Sequence, residues 1–242
     1  MKNILLLFTA LVCMTTLSSW DWNTRKNIKG SKHVVREVRE SRSFDKIRSS
    51  RSIRVIVSEG NSHSLEVEAD DNILPYIKTE IKNNTLSVYL PNDIQVRSYK
   101  AMNVYVSTPA LSALHATTSS QIESDSYWEV EDLSIRATTS AVVQLNVTAQ
   151  KINVDITTSA QVILSGKTDN LETRMTTSSS LQAEKLIAEN VKISGTTSSS
   201  ASVFATNQLK YALTTSAVVA YSGEAYVTAK ASSGGYGYKK KN

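Results

Sequence analysis

The chain has 242 residues, with 27 lysines and arginines against 22 aspartates and glutamates and a single cysteine. One cysteine excludes an internal disulfide framework, so a core must hold the fold together. The net charge of +5 is modest and gathered at the ends, in the segment Arg25 to Arg54 and in Lys239-Lys240-Lys241. This is the pattern of solvated surface and a charged terminus, not of a nucleic-acid binder; weak attraction to acidic glycans or lipid headgroups stays open.

The first elements in chain order are Lys2, the apolar stretch Ile4 to Met14, and the small polar residues Thr15, Thr16, Ser18 and Ser19. Charge, short apolar core and small-residue exit predict a secretory signal peptide over residues 1–19, cut near Ser18 or Ser19. The apolar core is too short to span a bilayer, which takes about 20 residues. A lipid-modified Cys13 calls for a small residue before it, and Val12 stands there instead. Removal of residues 1–19 takes one basic residue and the only cysteine, leaving a basic, cysteine-free chain.

Residues 20–42 are charged and without period, with Trp20 and Trp22 as their only aromatic groups, and predict a spacer or loosely docked arm. From Ser43 short alternating runs begin: Ile53, Val55 and Val57; Leu65 and Val67; Leu86, Val88 and Leu90; Val104 and Val106. Apolar residues two apart describe half-buried strands. Gly60-Asn61 and Asn83-Asn84 supply turns between them. A short helical turn fits within 71–81, where Pro75 limits its length. Residues 43–110 therefore read as a β-rich N-terminal segment.

A tandem motif fills the next part: Thr117-Thr118-Ser119, Thr138-Thr139-Ser140, Thr157-Thr158-Ser159, Thr176-Thr177-Ser178, Thr196-Thr197-Ser198 and Thr214-Thr215-Ser216. The intervals of 21, 19, 19, 20 and 18 residues are those of a repeat architecture. With the first threonine of each motif as position zero, three columns are mainly or wholly apolar. Position −3 holds Leu114, Ile135, Val154, Thr173, Ile193 and Tyr211, and position −1 holds Ala116, Ala137, Ile156, Met175, Gly195 and Leu213. Position +5 holds Ile122, Val143, Val162, Leu181, Ala201 and Val219.

If alternation persists through the motif, the second threonine points inward, followed by a small inward residue at +3. Six stacked threonines would then satisfy one another in a buried hydroxyl ladder. The first threonine and the serine would face outward as a flat hydroxyl-methyl grid, the kind of array that ice-binding β-helices use. A degenerate rung follows, with Val227, Ala229 and Ala231 in the apolar columns and Ser232-Ser233-Gly234-Gly235 in place of the motif. The reading is all-β: a parallel β-helix-like solenoid of about 20-residue rungs over 111–235, the β-rich segment before it, and a cap and charged tail over 236–242.

The segments Ser43-Phe44-Asp45-Lys46-Ile47, 69–77 (Ala69-Asp70-Asp71-Asn72-Ile73-Leu74-Pro75-Tyr76-Ile77) and Asn84-Thr85-Leu86-Ser87-Val88, together with the repeats, resemble the auto-transporter adhesin, head GIN domain family of exported proteins from Bacteroides-like bacteria. The resemblance covers about residues 43–223. It implies a β-helix-like fold and a surface location, and brings no catalytic residues. In that family the repeated tetrad is similar to Ser-Gly-Ala-Ser, whereas here it is Thr-Thr-Ser followed by Ser or Ala. Threonine at a glycine position argues for ordinary extended backbone there, because a positive φ suits glycine and not a β-branched residue.

Catalytic chemistry is thin. His33, His63 and His115 are widely separated, without metal-ligand spacing, and neither a phosphate loop nor a nucleophile elbow is present. Two acidic groups, Glu66-Glu68-Asp70-Asp71 and Glu123-Asp125-Glu129-Glu131-Asp132, are weighed as carboxylates of a polysaccharide-active enzyme; solvated faces account for them more simply. No catalytic residue, metal or cofactor is expected. Tyr127 and Trp128, in the longest interval between motifs, are candidate stacking groups for a sugar or anchors of a loop. The outward Thr117, Thr138, Thr157, Thr176, Thr196 and Thr214 are candidate ligand contacts.

The expectation is an exported, non-catalytic, adhesin-like module in the periplasm, on the outer membrane surface or outside the cell, with a glycan or cell-surface protein as ligand. A polysaccharide-active β-helix enzyme and a purely structural envelope spacer are the alternatives. Oligomeric state is not legible.

Overall fold

The computed structural model describes residues 25–240. The expected signal peptide, Cys13, Trp20 and Trp22 lie outside the described residues. In chain order come β1 (Lys26–Lys29), β2 (Val34–Val38), β3 (Lys46–Ser50), β4 (Arg54–Glu59), β5 (Ser64–Asp70), β6 (Lys78–Lys82), β7 (Thr85–Tyr89), β8 (Ile94–Ser98), β9 (Met102–Thr108) and β10 (Ala113–Thr117). The long strands β11 (Gln121–Thr138), β12 (Val142–Ile156), β13 (Gln161–Met175), β14 (Ser180–Gly195) and β15 (Ser200–Leu213) follow, then β16 (Val218–Ser222), β17 (Tyr226–Ala231) and β18 (Tyr236–Lys239). The only helix among the described residues is one 3-10 turn, Leu74–Tyr76, built around Pro75.

The architecture is a β-solenoid of about seven turns with rungs of about 19 residues. Neighbouring rungs pair in parallel and in the register of the sequence columns. Leu114 faces Ile135, then Val154, Thr173, Ile193, Tyr211 and finally Ala229. The columns at −3, −1 and +5 are buried along the whole stack of motifs, as is the small residue at +3. Rungs about 4.8 Å apart let each inward side chain pack on its counterparts above and below. The degenerate last rung takes the place expected of it, with Val227, Ala229 and Ala231 opposite Leu209, Tyr211 and Leu213.

The motif itself departs from expectation. The second threonine does not point inward on extended backbone. It is exposed, and it and the following serine both lie in the left-handed region, with φ of 50° to 54° at the threonines and 56° to 59° at the serines. Two successive positive φ values describe a type I′ turn. The amide of the +3 residue closes it onto the carbonyl of the first threonine, at 3.3 Å for both Ala141 to Thr138 and Ala160 to Thr157. Alternation therefore stops for three residues and resumes with the same parity, which is why +3 and +5 were placed correctly and +1 was not. Threonine is tolerated at a positive φ because the turns bond one another: Ser119 N–H donates to Thr139 O, Ser140 to Thr158 O, Ser159 to Thr177 O and Ser178 to Thr197 O, each at 2.9 Å.

The same turn extends the stack at both ends. Ser50-Arg51-Ser52-Ile53 has φ of 61° and 59° at its central residues, buries Ile53, and donates Ser52 N–H to Thr118 O. At the other end Ser233 and Gly234 take the left-handed positions, and Ser216 N–H donates to Ser233 O. The first turn thus belongs to the N-terminal segment, whose strands β3 and β4 join the solenoid in parallel with β10 and β11.

The stretch 20–42 is not a loosely docked arm where it is described. β1 pairs in parallel with β8, and β2 pairs antiparallel with β5. Strand pairing and one buried carboxylate hold it. Asp70, fully buried, accepts the amides of Lys32 at 2.9 Å, Lys100 at 2.9 Å and Ala101 at 3.1 Å. Gly30 packs so closely that any Cβ there would collide with this carboxylate. Burial alone pushes the Asp70 pKa up; the three amides and the charge of Lys32 outweigh it and hold the group below the usual carboxylate range.

A folded pKa below the unfolded one means that the stabilisation is complete above about pH 4 and is lost as pH falls through the folded value. Asp70→Ala strands three amides and is expected to cost on the order of 3 kcal/mol. Urea unfolding at neutral pH measures that loss. The difference between variant and wild type should shrink as both are titrated below pH 4.

Candidate ligand-binding surface

The left-handed turns stack into a ridge along one corner of the solenoid. On it the second threonine and the serine of each motif are exposed, while Thr117, Thr138, Thr157, Thr176 and Thr196 are half-buried and Thr214 is exposed. The hydroxyl ladder expected of the second threonine is absent, and the first threonines bond one another at two places only. Thr138 Oγ1 donates to Thr117 Oγ1 at 2.8 Å and Thr214 to Thr196 at 2.9 Å, while Thr176 bonds within its own turn to Thr177 at 3.2 Å. The surface is a convex corner of turns and not a flat grid, so the geometry of an ice-binding face is absent. The outer rim of Thr118, Thr139, Thr158, Thr177, Thr197 and Thr215, expected inside, is the part that solvent reaches.

Tyr127 and Trp128 part company. Trp128 is 1% exposed, and its indole N–H donates to Ser124 Oγ at 2.7 Å, so it anchors the irregular start of β11 and offers no ring face to a sugar. Tyr127 is 44% exposed and its hydroxyl bonds that of Thr148. It stands opposite Asn146 in the β11–β12 pairing. Asn146 in turn lines an open groove of about 280 Å³ with Gln144, Ser165, Gln182, Glu184 and Ser124. Leu145, Ile163 and Leu164 supply its apolar lining, and a register shift of the β13–β14 pairing between Ile163 and Ser165 falls within it. The amides come from two rungs, β12 and β14, with Ser165 of β13 between them. Sequence reasoning missed them because each is an unremarkable outward residue of its own strand, and only the +6 and +8 columns read together would have gathered them.

The carboxylates of the first acidic group are held by other partners. Glu66 and Glu68 are bridged by Arg36 at 2.9 Å and 2.8 Å. The Asn103 amide, against the opposing effect of burial, and then Arg36 and Tyr105 keep Glu68 below the ordinary carboxylate range. Asp70 is caged by amides, and Asp71 is lowered chiefly by the hydroxyl of Ser31 at 2.5 Å. Carboxylates with lowered pKa values are poor general acids at neutral pH. Of the second group, Glu123 pairs with Arg54, while Glu129, Glu131 and Asp132 border a shallow depression beside Asp45. Among the described residues no three His, Cys, Asp or Glu side chains converge as metal ligands.

Residues 43–225 match the model of the family described as "Putative auto-transporter adhesin, head GIN domain". The chain belongs to this family. Among solved structures it is similar to a "putative adhesin" from Bacteroides fragilis NCTC 9343, at 21% identity and a TM-score of 0.80, over 88% of this chain and 98% of that one. A "putative adhesin" from Parabacteroides merdae ATCC 43184 follows at 19% and 0.74, over 89% and 99%. A "Putative lipid binding protein" from Parabacteroides distasonis ATCC 8503 matches at 19% and 0.75, over 89% and 100%. At such identities the likeness establishes the solenoid fold of this adhesin-family member. No curated protein matches the chain.

The anchoring role of Trp128 has a direct consequence. Trp128→Ala empties a buried indole site and is expected to lower stability by about 3 to 5 kcal/mol, read by chemical denaturation; a stability change below about 1 kcal/mol would contradict burial of the ring.

Proposed function

We propose that this adhesin-family member is an exported, non-catalytic module of the cell envelope or cell surface that binds a glycan or protein ligand through the outer face of its solenoid. The observation that carries the reading is the groove of Gln144, Asn146, Ser165 and Gln182 with exposed Tyr127 beside its rim. Amides and hydroxyls that can both donate and accept, next to an aromatic ring and aliphatic lining, suit the alternating polar and apolar faces of a sugar. The rungs hold these groups at fixed spacing, so little order has to be created on binding. Family membership supports the adhesin-like role, and engagement of the Glu66–Asp71 carboxylates supports a non-catalytic one. Export rests on the signal-peptide pattern of residues 1–19. Among the described residues no helix is long and apolar enough to cross a membrane.

Glycan-array screening of residues 25–242 tests the reading, with Tyr127→Ala and Gln182→Ala as probes of the groove. Hits that weaken by about tenfold in either variant, a loss of 1.4 kcal/mol, are expected. Release of reducing ends from a bound polysaccharide would replace the binding role with the enzymatic one. Silence on the array together with no retention of surface proteins would leave only a structural role.

A further inference from the structure

Apart from the residues of the groove, one column of outward residues carries two arginines at its N-terminal end. In register across β3, β10 and β11, Arg48 faces His115 and His115 faces Arg136. Both arginines are exposed, and neither is in an ion pair among the described residues. Among the described rung residues Arg174 and Lys192 pair with Glu172, whereas Lys151, Lys167, Lys185, Lys210 and Lys230 are in no ion pair. What distinguishes this row is two arginines held in register on either side of one imidazole.

The imidazole between them makes the row coherent. Arg48 Nε donates to His115 Nδ1 at 3.1 Å, which fixes Nδ1 as an acceptor and leaves the proton on Nε2. Burial, followed by the charges of Arg48 and Arg136, lowers the His115 pKa to about 4, so the ring is neutral at physiological pH. A neutral ring does not add repulsion between two cations and still offers an N–H donor. Hydroxyls flank the row: Ser50, Ser87 and Thr117 join Arg48 and Arg51 around a depression of about 350 Å³. Of the acids nearby, Glu80, in the same depression, accepts from Lys82 at 2.7 Å and from Tyr89 at 2.6 Å. Asp155, next to Arg136 in register, is exposed and lies 3.9 Å from Arg174, so it bounds the row on that side.

We propose that Arg48, His115 and Arg136 form an anion-binding row that takes an acidic polysaccharide, with carboxylate or sulfate groups on alternate sugars meeting the two guanidiniums. The arginines stand two rungs apart, about 9.6 Å along the stack, an interval comparable to one disaccharide. Guanidinium forks match carboxylate and sulfate oxygens better than a point charge does. The row rests on the ligand-binding reading above but uses residues separate from the groove, so the two can fail independently.

Chondroitin sulfate, whose uronates alternate along the chain, is the probe. Binding of residues 25–242 to the immobilised polymer, measured by interferometry across a sodium chloride series, is expected to weaken as salt rises. Arg48→Gln combined with Arg136→Gln should reduce affinity by about tenfold or more and flatten the salt dependence, whereas Tyr127→Ala should leave it unchanged. Both arginines are exposed, and far-ultraviolet circular dichroism checks that the double variant keeps its strands. No binding of the polymer, or equal binding by the double variant, overturns the proposal. So does binding confined to phosphatidylglycerol vesicles, which would make the row a lipid-headgroup contact. Loss of array hits in Tyr127→Ala with polymer binding intact bears only on the groove.

Discussion

Everything else in this molecule depends on hydrogen bonds that continue from strand to strand through the left-handed turns. In a solenoid the strands of successive rungs pair readily, but the corners threaten to leave unpaired backbone groups at every level. Here the corner is as regular as the strands. The serine amide of one turn reaches the second threonine's carbonyl in the next, from Ser52 at the first turn to Ser198, and Ser216 reaches Ser233 O in the last turn. That continuity keeps the columns in register, and register keeps Ile135, Val154 and their counterparts on the core side. A slip of one residue would turn each apolar column outward.

The turn is maintained against a local cost. A β-branched residue at φ near 53° is an outlier of the backbone map, of order 1 to 3 kcal/mol per position. The cost recurs at every motif, so the compensation must recur too. The inter-rung bond between turns does, from Ser119 to Ser216, and the closing bond of the turn joins it at Ser120, Ala141, Ala160 and Ala217. The small residue at +3 matters for the same reason: Ser120 donates to Ser49 O and accepts from Thr117 N–H at 3.0 Å each. Alanine fills this place in other rungs without a polar group to satisfy. Ser179 and Ser199 fill it with buried hydroxyls that lack a protein partner.

The sequence made the solenoid legible because apolar columns need only a period and an alternation, and both survive in the repeat. It misled at the second threonine because a three-residue turn preserves the parity of its flanks, so an uninterrupted strand and a corner give the same column pattern on either side. The family's glycine-containing tetrad carries the signal for a positive φ, which the β-branched preference of threonine masks. The opening turn at Arg51 was hidden because it shares geometry, not residues, with the threonine motifs. The docking of 25–38 was hidden for another reason. Its charged side chains belong to exposed positions of edge strands, and the residue that ties it down, Asp70, lies far along the chain. Tyr127 and Trp128 are adjacent in sequence yet divided by alternation and burial, and the groove draws its polar lining from three rungs, a combination invisible in any one strand.

The structure thus separates the scaffold from the surfaces that it carries: a ridge of hydroxyls, an amide-lined groove and two arginines flanking a histidine, all spaced by the same rungs. The central claim is that the threonine-serine corners are bonded structure and not surface loop. Amide hydrogen exchange, resolved by NMR at Ser140, Ser159, Ser178 and Ser198, tests it most directly. Protection at these serines comparable to that of the strand amides beside them is the predicted result. Exchange as fast as that of an unstructured peptide, with the strands still protected, would contradict it.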